Sequence, residues 1–352
     1  MSATAIDGAD RELVLGLVRI PSVSTREQAS VEYLVARMRE RGFAARVDEA
    51  GNAVGEIGDG AMRIALVGHI DTVPGEIPVA IDDGDLVGRG AVDAKGALAA
   101  FVAAATTPPR GARITVVGAV EEEHPSSRGA RHLARARAPD YCVVGEPSGW
   151  DAITVGYKGS LQLRIEVRRP ARHGAHEGAS VAEEGIALYA ELKRRAAARG
   201  AETTPFQRLD CRLASFVAGP SDGLVERAEL IVAYRVPPGM TTDEVVADAR
   251  GVAPTFDVLS AEEPIKASRA TPLARAFQSA IREAGGDAHF KVKTGTSDMN
   301  VLGPAWRCPI VAYGPGDSRY DHTPMERLPL ADYTRSIAVL RGVLARLAGA
   351  AG

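Results

Sequence analysis

Three near-continuous apolar runs dominate the first half of the chain. They are Ile64-Ala-Leu-Val-Gly-His-Ile-Asp71, Ile114-Thr-Val-Val-Gly-Ala-Val120 followed by Glu121-Glu122-Glu123, and Tyr141-Cys-Val-Val-Gly-Glu-Pro-Ser148. A strand shielded on both faces has no polar alternation, so these runs predict buried parallel strands. Helical segments are expected between them, near residues 97–105 and 129–137. Strand alternating with helix predicts an α/β sheet, where sites form beyond the carboxyl ends of the strands. Upstream, Leu13, Val14, Leu17 and Val18 mark a helix capped by Asp10 or a neighbour and stopped at Ile20-Pro21. Val31, Leu34, Val35 and Met38 mark a second helix, from about Arg26 to Arg41.

The middle of the chain has a different rhythm. Ser160–Val167 and Leu224–Tyr234 alternate apolar and polar positions, as half-exposed strands do, and helices are expected over Val181–Arg199 and after Thr242-Asp243-Glu244. Toward the end, α/β character returns with a helix over Thr271–Ala284, a strand at Pro309–Tyr313 and a closing helix over Ala331–Leu347. The fold class expected is therefore α/β, a mixed sheet flanked by helices, with an inserted α+β domain. Residues 1–154 and 263–352 form the first domain and 155–262 the insert.

Composition narrows the field. A chain of 352 residues suits two domains at ~100–200 residues each. Lys+Arg 42 against Asp+Glu 45 gives a net charge of −3, without the basic excess expected of a nucleic-acid binder. No apolar run reaches the ~18 residues that cross a bilayer, and the first residues do not read as a signal peptide. The 3 cysteines, Cys142, Cys211 and Cys308, are scattered in apolar contexts. They are expected reduced, buried and inert, which fits a cytoplasmic protein.

The chemistry lies at the ends of the runs. His69, Asp71, Asp93, Glu122, Glu123, Glu146 and His322 supply imidazole and carboxylate, which hold zinc and also suit cobalt or manganese. Taken singly, a His-x-Asp, an acidic run or a turn acid is usually structural. Three expected parallel strands that all end in such groups are a different matter, because a carboxylate at the end of an apolar run needs a compensating partner. Asp93 sits on the Gly-rich turn Gly88-Arg-Gly-Ala-Val-Asp93 and can be brought close enough to bridge two ions. Asp71, two residues past His69, is placed to accept the second imidazole N–H. Arg235, at a strand end, is a candidate carboxylate clamp, and Gly295-Thr296-Ser297 a candidate backbone-donor loop near substrate.

His69-Ile-Asp71-Thr-Val-Pro, Gly88-Arg-Gly-Ala-Val-Asp93-Ala-Lys-Gly96, Glu122-Glu123, Gly145-Glu146-Pro147-Ser148 and Asp321-His322-Thr-Pro-Met-Glu326 resemble the motifs of the dizinc aminoacylase and carboxypeptidase family. That family includes acetylornithine deacetylase and succinyl-diaminopimelate desuccinylase. The resemblance covers nearly the whole chain in the family's order. It implies a dinuclear-metallohydrolase domain carrying an inserted lid and dimerisation domain. Two divalent ions, Zn2+ or Co2+, would be bridged by Asp93, one held by His69 and Glu146 and the other by Glu123 and His322. Glu122 would be the general base, with Glu121 filling the leading acidic slot of the motif. Either His173 or His176 would be the lid histidine that reaches across a homodimer; His173, before Gly174 and Ala175, fits better.

His69-Ile-Asp-Thr-Val-Pro-Gly75-Glu76-Ile77-Pro78-Val79 and Glu121-Glu122-Glu123-His-Pro-Ser-Ser-Arg-Gly129 are more particular. Both resemble members that release lysine or ornithine from the terminal glutamate of an amino-group carrier protein, which implies a role in lysine or arginine biosynthesis. A small-molecule N-acyl amino acid deacylase is the enzyme alternative, and an inactive metal-binding protein the non-enzyme one. The carrier is expected to be acidic. Arg164, Arg168, Arg169, Arg172, Lys193, Arg194 and Arg195 would steer it if they line one rim, and are otherwise solvated faces.

Overall fold

Buried parallel strands need helices on both faces, and the chain supplies them in alternation. The computed structural model describes residues 7–173, 177–199, 204–220 and 223–349. Two compact units emerge. Unit 1 is Met1–Val155, Ala267–Lys291 and Ser297–Gly352; unit 2 is Gly156–Lys266 and Val292–Thr296.

Unit 1 opens with α1 (Gly8–Arg19), α2 (Gln28–Glu40), β1 (Ala44–Val47), β2 (Ala53–Ile57) and β3 (Met62–His69). After the hairpin strands β4 (Ala80–Asp82) and β5 (Asp85–Val87) come α3 (Lys95–Ala105), β6 (Ala112–Ala119), α4 (Arg128–Leu133), β7 (Tyr141–Gly145) and β8 (Ala152–Tyr157). Unit 2 holds β9 (Gly159–Pro170), α5 (Val181–Arg199), β10 (Asp210–Pro220), β11 (Val225–Val236), α6 (Thr242–Arg250), β12 (Asp257–Glu262) and β13 (Ile265–Lys266). The remaining elements are α7 (Pro272–Glu283), β14 (His289–Lys293), α8 (Asp298–Trp306), β15 (Ile310–Ala312), β16 (Arg327–Pro329) and α9 (Leu330–Gly349).

The order through the main sheet is β1-β2-β6-β3-β7-β15-β8. β3 runs parallel to β6 and to β7, and β7 parallel to β15. The three apolar runs therefore lie side by side and finish at one edge. α3 is buried along its whole length and packs against β3, β6, α1 and α9. Its run of alanines and its Leu98 and Phe101 have no polar face to offer, as befits a central helix. The strands leave room for it: a Cβ on Gly145 would stand 2.9 Å from the Phe101 ring. At the first turn of α3, buried Lys95 donates to the carbonyls of Leu17 (2.9 Å) and Ile20 (2.7 Å) at the end of α1. Burial brings that ammonium's pKa down to about 7.

Unit 2 has its own core, with Leu161, Leu163, Ile165, Leu230 and Val232 from the sheet facing Leu192, Ala196, Val245 and Ala249 from α5 and α6. Its sheet order is β10-β11-β9-β12. The pattern anticipated β9, β11 and both helices; β10 and β12 are additional. β10 reads Asp-Cys-Arg-Leu-Ala-Ser-Phe-Val with a register shift between Leu213 and Ser215, which breaks the two-residue period. β12 is mostly exposed, so burial leaves little mark on its composition.

Two local expectations need correction, and one helix was not expected. Asp7, not Asp10, caps α1 by accepting from Ala9 N. Asp10 is buried in an ion pair with Arg41 at 2.6 Å. Residues 298–306, assigned to no element above, form α8, whose interior Pro304 and Gly303 hide it from a propensity reading. Cys142 and Cys211 are buried, but Cys308 is only partly so. All three are free, and burial pushes their thiols up, Cys211 and Cys308 each to about 11, so none is activated. Among the described residues no helix is long and apolar enough to cross a membrane.

Candidate metal centre

The site residues of unit 1 converge from five places in the sequence. His69 ends β3, Asp93 occupies the turn before α3, and Glu122 and Glu123 follow β6. Glu146 follows β7 directly, and His322 lies on the segment between β15 and β16. Among the described residues three groups of donors form: His69–Asp93–Glu146, Asp93–Glu123–His322 and His69–Glu122–Glu123. In each, one donor atom per residue lies within 4.8 Å of the others. The first two groups share Asp93.

His69 is 1% exposed. Its Nδ1 lies 3.0 Å from the backbone carbonyl of Asp71. A carbonyl only accepts, so Nδ1 carries a proton; Nε2, 3.2 Å from Asp93 Oδ1, is the atom left for a metal ion once its own proton is displaced. This changes the expectation for Asp71. Its carboxylate Oδ1 stands 3.6 Å from His69 Nδ1, farther than its own carbonyl. The carboxylate instead gathers the loop after β6: Oδ1 accepts from Glu122 N (3.1 Å), and Oδ2 from Glu123 N (3.0 Å) and Ser24 Oγ (2.7 Å).

Electrostatics follow from this crowding. Burial would raise the Asp93 carboxyl, yet hydrogen bonds from His322 and His69 hold it far below the carboxylate range. His322 Nε2 is 2.6 Å from Glu123 Oε1 and 3.1 Å from Asp93 Oδ2, and those two carboxylates lift its pKa to about 10. Burial opposes a charge on His69, but Asp71, Asp93 and Glu122 outweigh it and raise its pKa well above the ordinary value. Burial raises Glu122 well above the carboxylate range; His69 opposes, and the carboxylates of Glu146, Glu123 and Asp298 add to the rise. Strongly perturbed acids and imidazoles in one place mark a functional site more than a structural one.

Glu121 is engaged elsewhere. Its carboxylate takes the Ser126 hydroxyl and an ion pair from Arg128 Nε at 2.9 Å. In unit 2, Arg235 Nη1 lies 3.4 Å from Thr296 Oγ1, and nothing stands within 4 Å of a Cβ on Gly295. Ser297 caps α8: its hydroxyl accepts from Met299 N, and its own N–H donates to Asn300 Oδ1. His173 is exposed, while His176 lies outside the described residues.

The basic cluster of unit 2 is largely neutralised where it stands. Arg164 pairs with Asp257 (3.0 Å), Arg168 with Glu166 (2.7 Å), and Arg169 with Glu184 and Glu226 (2.6 and 2.8 Å). Arg194 and Arg195 share Glu191, and Lys193 lies over the Tyr189 ring. Acids of β9 and α5 themselves and of the neighbouring strands β11 and β12, invisible to a count of arginines, supply the partners.

Sequence reasoning assigned no role to Ser24, Glu27, Arg89 and Glu326. Glu27 is 4% exposed, and its Oε1 accepts from Glu121 N (3.2 Å), pinning the loop one residue before Glu122. Ser24 and Glu27 precede that loop by about a hundred residues, so no local signal could have found them. Glu326 stood within a quoted motif, four residues past His322, and that spacing was the available sign.

Parallel strands that deliver imidazoles and carboxylates to one edge, in two sets joined by a single carboxylate, define the class of α/β metallohydrolases. A sequence profile described as peptidase family M20/M25/M40 matches residues 65–346. The chain belongs to that family, whose members are metal-dependent hydrolases with dinuclear centres. Across 99% of its length it is 44% identical to the whole of the LysW-lysine hydrolase of Deinococcus radiodurans. A Thermococcus kodakarensis relative, provisionally named a LysW-lysine/LysW-ornithine hydrolase, is 41% identical over 96% of this chain and 92% of its own. Among solved structures, a family M20 metallo-carboxypeptidase from Sulfolobus solfataricus shares the fold with a TM-score of 0.75 at 17% identity, covering 97% of this chain and 100% of that one.

Proposed function

We propose that this protein hydrolyses the amide joining lysine, or ornithine, to the terminal glutamate of an amino-group carrier protein, as a cytoplasmic enzyme of amino-acid biosynthesis. The two donor groups that share Asp93, with Glu122 beside them, carry the reaction class. The full-length likeness to the Deinococcus radiodurans enzyme supports the substrate.

The donor set fits two divalent ions: imidazole and carboxylate in three-residue groups suit Zn2+, with Co2+ also accommodated. His69 and Glu146 would hold one, Glu123 and His322 the other, and Asp93 both. When bound, the ions polarise the scissile carbonyl, acidify the attacking water and favour the ionised form of Glu122. Glu122 takes the proton from that water and passes it to the leaving nitrogen. Asp71 holds Glu122 and Glu123 by their backbone N–H groups and fixes the His69 ring through its carbonyl. Arg235 is the proposed partner of a substrate carboxylate, with Gly295 and Thr296 as further contacts and Ser297 fixing the start of α8. Unit 2 is the proposed lid and dimerisation domain, with His173 serving the partner subunit by stabilising the oxyanion.

The deciding assay gives the purified protein carrier-linked lysine, carrier-linked ornithine and small N-acyl lysine and ornithine. The expected result is a much higher kcat/KM on the carrier-linked amides, abolished by a chelator and restored by Zn2+. Equal rates on N-acetylornithine would replace this reading with a small-molecule deacylase. Mixed dimers of His173→Ala and Glu122→Gln subunits belong in the same assay. Recovered activity supports the shared site; none in verified mixed dimers removes it. Local pairing of the basic residues in unit 2 predicts only a weak salt effect from them, so a steep salt response confined to carrier substrates would require another basic surface.

Metal binding should be coupled to protons. In the metal-free protein the His322 pKa is lifted to about 10, above its ordinary value near 6.5. The charged imidazole then stabilises the metal-free fold below pH ~6.5, and this contribution is lost as pH rises toward the folded-state value. A metal ion needs the neutral ring, so it must displace that proton. Apparent affinity is expected to rise with pH by about tenfold per unit for each proton released. Calorimetry at pH 8 in buffers of different ionisation enthalpy should find at least one proton released per subunit. No proton release would contradict this picture of His322.

A further inference from the structure

Between the turn that carries Asp93 and the segment that carries His322 lies a buried acid with no part in the chemistry above. Glu326 is 1% exposed. Its Oε1 accepts from Val92 N at 3.0 Å and Asp93 N at 3.1 Å. Its Oε2 accepts from Arg89 Nη1 at 2.8 Å. Arg89 reaches onward, to the Thr323 carbonyl at 3.3 Å and, through Nε, to the Gly75 carbonyl at 2.9 Å. The Glu326 carbonyl accepts from Gly88 N at 3.3 Å, and β5 and β16 pair directly after, Val87 with Arg327. Two strips of chain, 233 residues apart at Asp93 and Glu326, are thus laced by both side chain and backbone.

We propose that Glu326, held by Arg89, is the positioning residue that sets Asp93 and His322 at the spacing a metal ion requires. The argument rests on the metal-binding reading above and concerns how this chain builds that centre. Asp93 belongs to two of the three donor groups, and His322 to one of those two. Neither sits inside a strand or helix that would fix it: Asp93 lies in a turn and His322 in a loop. A carboxylate is the one side chain that can take two backbone N–H groups on one oxygen and a guanidinium on the other. Gln cannot replace it. Whichever way its amide turns, its NH2 faces a donor, either the Asp93 backbone or Arg89. Groups behind metal ligands commonly govern affinity by about 10–100-fold. A plain buried ion pair would instead affect stability alone.

The experiment measures the Zn2+ dissociation constants of the full chain by competition with a chromophoric chelator, alongside thermal midpoints. The variants are Glu326→Gln, Arg89→Lys and Asp10→Asn. Asp10→Asn disturbs a buried ion pair, with Arg41, that takes no part in the donor groups. Glu326→Gln is expected to weaken binding of the ion at Asp93–Glu123–His322 by about 10–100-fold. Arg89→Lys should weaken it less, because one of its anchors remains, and Asp10→Asn should lower the midpoint while leaving affinity intact. Unchanged Zn2+ affinity in a folded Glu326→Gln protein overturns the proposal. If that variant does not fold, Arg89→Lys decides: weakened binding supports the clamp and wild-type affinity removes it. Equal weakening in Asp10→Asn would also remove it, because the effect would then be general destabilisation. A wild-type protein that binds no divalent ion would instead overturn the metal reading itself.

Discussion

Replacing Glu122 by Gln is expected to lower kcat by about 10²–10⁴-fold, the usual contribution of a general base, while two metal ions stay bound. The substitution keeps the size of the side chain and removes its capacity to take a proton. Its backbone anchor, Glu122 N on Asp71 Oδ1 at 3.1 Å, is untouched, so the loop has no reason to move. Glu121→Gln is the matched control. Glu121 is already committed to Ser126 and Arg128, so its loss should cost little turnover. Steady-state rates and elemental analysis of both variants check this together. The reverse result, an active Glu122→Gln and a dead Glu121→Gln, would shift the assignment of the base by one residue.

Asp71→Asn should be nearly as damaging, for a different reason. Asp71 is fully buried, and all the groups bonded to its side chain are donors: Glu122 N, Glu123 N and Ser24 Oγ. The Ser24 hydroxyl can turn and accept from an amide, but the two backbone N–H groups cannot. One of them is therefore left facing an NH2, a loss of about 1–3 kcal/mol in stability. Turnover should fall about 10–100-fold through misplacement of Glu122 and Glu123. Folding holds the Asp71 carboxyl below its ordinary range: burial opposes this, but the neighbouring His69 charge and hydrogen bonds from Ser24 and Glu123 N prevail. Its contribution is therefore complete above about pH 4 and fades as pH falls through the folded-state value. Urea unfolding of the two proteins should differ most near neutrality and converge in acid. Wild-type turnover and stability in Asp71→Asn would dismiss the anchoring role.

Much of this molecule is written locally. Full burial on both faces leaves an unmistakable mark on composition, so β3, β6 and β7 were readable from their apolar runs, and with them the edge where His69, Glu122, Glu123 and Glu146 emerge. Helices with one apolar stripe, such as α2 and α5, were equally plain. Elements with weak burial contrast or an irregular period, β10, β12 and α8, were not. The residue types of the donor set and the candidate bridging role of Asp93 also came from the sequence, through motif spacing. What folding alone decided is who holds these residues. That the Asp71 carboxylate grips the loop after β6, that Ser24 and Glu27 support it, that Glu326 and Arg89 lace Asp93 to the His322 segment, and that Arg164 and Arg169 of unit 2 are already paired all depend on contacts between distant residues. Hydrogen bonds and ion pairs of that kind have no period and no fixed spacing along the chain, because their geometry exists only once the sheet has brought its edge together.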